Sequence, residues 1–178
     1  KIIDKEPLII DLIGNKKASL IPWGIDYQNI PESDITFGHF EIVSFYMNTY
    51  KKCEHGLSSS NLFEKSKYII SGHFHKKDHR KYDKGDILYL GSPYQQNYGD
   101  TLDERGIYVF DLSDNTFEFI ENNISPKFFK IKASDMLEEN NTNNHLSLIE
   151  NNHVSLTIDT NIDDDKLSIL TSNIQKKA

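Results

Sequence analysis

The chain is cut into short apolar runs. Residues 8–13, 18–23, 34–38, 67–72, 87–91, 106–112 and 116–121 each group aliphatic, β-branched or aromatic side chains, and most end at Gly, Pro, Asn or Asp. Runs this short and this regularly punctuated read as strands. Between them, residues 42–52 and 58–65 are long and mixed enough to be helix or loop, and Ser58-Ser59-Ser60-Asn61 ahead of Leu62 offers an N-cap region. The expected class is α/β, with mixed β-sheets flanked by helices.

From Ser134 the composition changes. An Asn-rich stretch at 138–144 reads as a solvated linker, an alternating strand follows at 154–158, and Leu167, Leu170 and Ile174 then fall at helical spacing after three consecutive aspartates. A strand and a helix of this size cannot close a core alone. The expected organisation is a main domain over 1–133, then a linker and the start of a small α+β unit over 134–178. The chain opens at Lys1 with residues that already read as domain interior, so a fragment of a longer protein is expected.

Composition limits the function classes. The 178 residues carry 27 Asp and Glu against 20 Lys and Arg, a net charge of -7, so long-range attraction does not by itself hold this chain on a polyanion. Any nucleic-acid contact has to be local or helped by metal ions. No apolar run approaches the roughly 18 residues of a membrane span. The single cysteine, Cys53, has no internal partner, and the first residues lack a secretory signal pattern, which fits a reducing, cytoplasmic setting.

Chemistry concentrates at two strand ends. Ser71-Gly72-His73-Phe74-His75 follows one apolar strand and Thr36-Phe37-Gly38-His39 closes another. Strand ends in an α/β sheet are where sites collect, and Gly72 lets the backbone pass close to whatever lies there. A lone histidine at a strand end is usually a hydrogen-bonded structural residue; three from two strand ends are better read as metal ligands. His55, His79, His145 and His153 lack this context and are expected to face solvent or to lie behind the site. Gly91-Ser92-Pro93 reads either as an ordinary turn or as one whose Ser92 hydroxyl contacts phosphate. The basic run Lys76, Lys77, Arg80, Lys81 and Lys84 adjoins the second histidine motif and is either a solvated face or a DNA-backbone contact. Tyr89, Tyr94, Tyr98, Tyr108 and Phe110 are expected in the core and on strand faces rather than as base-stacking platforms.

Together, Gly38-His39 and Gly72-His73-Phe74-His75 resemble the last two metal-binding motifs of calcineurin-like metallophosphoesterases. The stretch from Asp86 through Gly91-Ser92-Pro93-Tyr94-Gln95-Gln96, with Gly106-Ile107-Tyr108-Val109-Phe110-Asp111 after it, is similar to the SbcD-type DNA repair nucleases. Ser19-Leu20-Ile21-Pro22-Trp23 and Gly38-His39-Phe40-Glu41 resemble the T-even phage branch of that family in particular. The resemblance runs over most of residues 2–132.

This resemblance implies half of a metallophosphoesterase sandwich, followed by the start of a small capping domain that contacts DNA. It implies a site of two divalent ions, Mn before Mg, Fe or Zn, with His39 and His73 on one ion and His75 on the other. The family's other four ligands come from N-terminal motifs of the types Asp-x-His, Gly-Asp and Gly-Asn-His-Asp, and none of these occurs ahead of Gly38-His39 here. The expected function is hydrolysis of phosphodiester bonds at DNA ends in recombination and double-strand-break repair, with this chain inactive alone. The implied partners are DNA, an SMC-like ABC ATPase and, optionally, a second copy, in a bacterial or phage-infected host cell. Two alternatives stay open: a phosphoesterase acting on a small phosphoester or phosphoprotein, and a non-catalytic fragment or scaffold.

Overall fold

The computed structural model describes residues 3–48, 50–137 and 147–176. It divides into two compact units: Lys1–Pro93 with Glu104–Glu121, and Tyr94–Asp103 with Asn122–Ala178.

The first unit is built on a six-stranded mixed sheet, as the α/β reading expects. β1 (Leu8–Asp11) pairs antiparallel with β2 (Lys17–Leu20), and β2, β3 (Ile35–Gly38), β4 (Tyr68–Ser71) and β6 (Gly85–Tyr89) run parallel in series. β5 (Asp78–Tyr82) closes the far edge antiparallel to β6. The sequence pattern does not reveal β5, because its residues Asp-His-Arg-Lys-Tyr carry charge on both faces, as an edge strand can. Parallel neighbours put the C-terminal ends of β3 and β4 side by side, which is where both Gly-His motifs sit.

Strand alternation sends successive side chains to opposite faces. Ile69, Ile87 and Tyr89 join Phe45, Leu62 and Phe74 in one core, while Ile70 joins Ala18 and Ile35 in another on the opposite face. Each fully buried aliphatic or aromatic side chain contributes roughly 1.5–3 kcal/mol. α1 (Ser59–Phe63) covers the first face through Leu62, and its N-cap is Ser58, whose Oγ accepts from Asn61 N at 3.1 Å. Residues 42–48 and 50–52 take the loop alternative, held by bridges from Ile42 to Leu57 and from Tyr46 to Lys52. The second face meets the hairpin β7 (Gly106–Asp111) and β8 (Thr116–Glu121), whose Phe110 and Phe117 stack at 4.3 Å and both pack against Tyr68.

The second unit pairs β9 (Phe128–Lys132) in parallel with β10 (His153–Thr157). Ile131, Ala133, Met136, Ile149 and Leu170 form its core, with Ile174 packed against it. α2 (Ala133–Leu137) supplies Ala133 and Met136, and α3 (Asp164–Gln175) supplies Leu170. The N-cap of α3 is Asp163, whose Oδ1 accepts from Lys166 N at 2.8 Å. The structural division therefore falls elsewhere than the composition change at 133/134, because β9 finds its strand partner in the later residues. The Asn-rich stretch at 138–144 and His145 lie outside the described residues. Among the described residues, no helix is long and apolar enough to cross a membrane.

Candidate functional site

His39 follows the last residue of β3 and His73 lies two residues beyond β4. Their rings meet edge to face with centroids 5.0 Å apart. Gly72 permits this approach: a Cβ there would lie 2.8 Å from His39 Nδ1, closer than packed atoms allow. His73 itself has φ 84°, a left-handed conformation that few residues other than Gly adopt. Such strain costs of order 1–3 kcal/mol and persists only where surrounding contacts fix it.

Those contacts are a set of buried hydrogen bonds. Ser71 Oγ accepts from Phe40 N at 2.9 Å. The Tyr89 hydroxyl donates to Phe40 O at 2.8 Å and accepts from Ile42 N at 3.0 Å, pinning the loop that carries His39 and Glu41. Burial pushes the Tyr89 phenol far above its ordinary range, so it remains a neutral donor. On the other side of the turn, Ser92 N donates to His75 O at 3.0 Å. Gly91, at φ 73°, leaves room for this, since a Cβ would lie 2.8 Å from Lys77 N.

Two residues that sequence reading did not assign to the histidine pair, Glu41 and Trp23, join it, and His55 lies behind it. Glu41 spans two imidazoles, with Oε1 3.1 Å from His73 Nε2 and Oε2 3.1 Å from His55 Nε2. A carboxylate only accepts, so each ring presents an Nε2–H to it, and His73 is left to meet a ligand through Nδ1. Trp23 packs on both site histidines, 4.8 Å from His73 and 5.4 Å from His39 by ring centroids, while remaining 59% exposed. The available signals were positional: Glu41 lies two residues after His39, and Trp23 follows β2, the strand beside β3.

Electrostatics favour an uncharged His39 ring. Burial first, then repulsion from His73 and His75, hold the His39 imidazole below its ordinary value of 6.5. At neutral pH its lone pair is available to an electrophile. His75 is exposed and acts on His39 through charge, without ring contact to either partner among the described residues.

The other sequence candidates are dispersed. Ser92 is 6% exposed and its Oγ accepts from Arg105 Nη1 at 3.0 Å, so it braces the turn rather than opening to solvent. The basic run divides across the sheet. Lys77 Nζ pairs with Glu104 at 2.8 Å and sits 3.8 Å over the Phe119 ring of the hairpin, whereas Arg80 holds Asp78 and lies 3.8 Å over Phe45 on the opposite face. Lys81 and Lys84 are exposed and Lys76 is half-buried. Of the polar-stretch histidines, His55 backs the site through Glu41, and His79 pairs with Asp86 at 2.8 Å.

Neutral imidazoles beside a carboxylate are the donor set that suits Mn, Fe or Zn, so the residues fit a divalent transition metal in kind. Among the described residues, no three such side chains converge closely enough to hold an ion. The chain presents a two-imidazole corner, with Glu41 behind it and His75 nearby.

No protein-family model matches the chain. It is 34% identical over 131 residues to exonuclease subunit 1 of Enterobacteria phage T4, an alignment that covers 69% of this chain and 36% of that protein. The chain thus spans about a third of the length of the relative it matches.

Proposed function

We propose that this chain is part of a metal-dependent DNA nuclease that hydrolyses phosphodiester bonds at DNA ends. The observation that carries the reading is the meeting of His39 and His73 at adjacent parallel strand ends. The similarity to a phage protein named exonuclease subunit 1 supplies the substrate class. His39 and His73 would hold one divalent ion, Mn before Mg, Fe or Zn, and His75 a second. Bound metal supplies charge neutralisation at the phosphate and a hydroxide at neutral pH.

The chain's own residues do the positioning. Glu41 orients His73, the Gly72 backbone admits His39, and the neutral state of His39 keeps a donor pair ready. Lys76, Lys81 and Lys84 would meet a DNA backbone, with Lys77 and Arg80 of the same run also held by Glu104 and Asp78. The "subunit" in the relative's name supports assembly with another protein, for which an SMC-like ATPase is the proposed partner.

The lack of a converged three-donor group among the described residues favours a second reading, in which the chain alone is not catalytic and further ligands come from elsewhere. Release of nucleotides from end-labelled linear duplex, compared with turnover of bis-para-nitrophenyl phosphate, tests the proposal. Mn-dependent, EDTA-sensitive release from DNA by the complete protein, with none from residues 1–178, is expected. Turnover of the small ester with DNA untouched would overturn the nuclease reading in favour of a small-molecule phosphoesterase.

A further inference from the structure

The second unit carries a groove of about 550 Å³, within the roughly 300–1,000 Å³ range of small-ligand sites. Its walls are flat: Tyr94, Phe128, His153 and Pro126, with Gln96 and Ser125 also lining it. Phe128 and His153 are register partners in the parallel β9–β10 pair, and their rings stack at 4.5 Å with 23° between planes. Tyr98 supports the stack edge-on at 5.0 Å from Phe128. Gln95 fixes it from beneath, its Oε1 accepting from Phe128 N at 2.6 Å while its Nε2 donates to Asp103 O at 3.3 Å. The platform is therefore built into the fold and does not need a ligand to form it.

Its chemistry is selective. Tyr94 is 50% exposed, and the side chains of Gln96 and His153 make no hydrogen bond with the described residues. In a chain with 27 Asp and Glu, no lining residue is acidic. Fixed aromatic faces favour a planar ring, an amide and an imidazole can meet the polar edge of a heterocycle, and the lack of carboxylates tolerates attached phosphate. A paired base keeps its faces inside the duplex stack and cannot use such a platform.

We propose that this groove binds an unpaired nucleobase, holding a single strand by one base against the aromatic wall. The site is separate from the histidine corner and its binding does not require hydrolysis. A strand so held is anchored by stacking, which a protein of net charge -7 needs because phosphate attraction is weak.

The test uses the full chain in EDTA, a short single-stranded DNA containing 2-aminopurine, and an abasic oligomer with the same number of phosphates. The expected result is affinity about tenfold or more higher for the base-containing strand, with 2-aminopurine fluorescence quenched on binding. Tyr94→Ala and Gln96→Ala should remove most of that difference, and Tyr94→Phe should keep it. Both side chains are exposed, and thermal melts check that the variants fold; should Tyr94→Ala melt early, Gln96→Ala and Tyr94→Phe decide. Equal binding of both oligomers by the unmodified protein would overturn the proposal, as would a full base preference retained in Gln96→Ala and Tyr94→Ala. Base binding here would survive even if the histidine corner proved unable to hydrolyse DNA, so the two readings fail separately.

Discussion

Gly72 and His39 set the tolerance of the candidate site at the scale of single residues. A methyl group at position 72 would sit 2.8 Å from His39 Nδ1, so the imidazole or the strand end must move. Gly72→Ala should therefore destabilise the fold by about 1–3 kcal/mol in urea titrations, the usual cost of overpacking, while displacing His39. A melt and a denaturation midpoint identical to those of the unmodified protein would show that the two strand ends have slack. His39 also predicts a pH dependence for the metal-free protein. Its folded pKa lies below 6.5, so between that value and 6.5 the unfolded chain binds more protons than the folded one. This contribution is fully present above pH 6.5, declines as pH falls below it, and levels off once the folded form is also protonated. The dependence should disappear in His39→Asn, as read from unfolding midpoints between pH 5 and 8.

Among the elements, the loop between β3 and β4 carries His39, Glu41 and His55, and Tyr89 on β6 holds it. Tyr89→Phe keeps the ring in the core but leaves Phe40 O and Ile42 N without the hydroxyl that joins them. A loss of about 1–3 kcal/mol is expected from these unsatisfied buried groups, measured by urea unfolding. Most elements were legible in the sequence because their signals are local. The apolar runs ending in Gly gave β3, β4 and β6, the runs at 106–112 and 116–121 gave β7 and β8, and Ser58 and Asp163 marked the starts of α1 and α3. β5 was not legible, since an edge strand with one antiparallel neighbour tolerates charge on both faces. β9 was missed although Phe129, Lys130, Ile131 and Lys132 alternate, because the run is short and its pairing with β10 is a long-range event. In the site, the His39–His73 meeting followed from parallel strand order, but the Glu41–His55 contact depends on a loop path no periodicity encodes. The apparent unity of the basic run failed for a related reason: alternation along β5 sends Arg80 and its neighbours to different faces.

Taken as a whole molecule, the chain joins a sheet-based unit carrying the histidine corner to a second unit carrying the aromatic groove, and it spans about a third of the phage exonuclease subunit it resembles in sequence. The central claim is that the corner made by His39 and His73 serves metal-dependent hydrolysis of DNA. The most direct measurement is Mn-dependent nucleotide release from linear duplex by the complete protein, compared among the unmodified form, His39→Ala and His73→Ala, with unfolding midpoints recorded in parallel. Both variants should lose activity by orders of magnitude, since a metal ligand is removed, while remaining folded. Folded variants that release nucleotides at the unmodified rate would contradict the account.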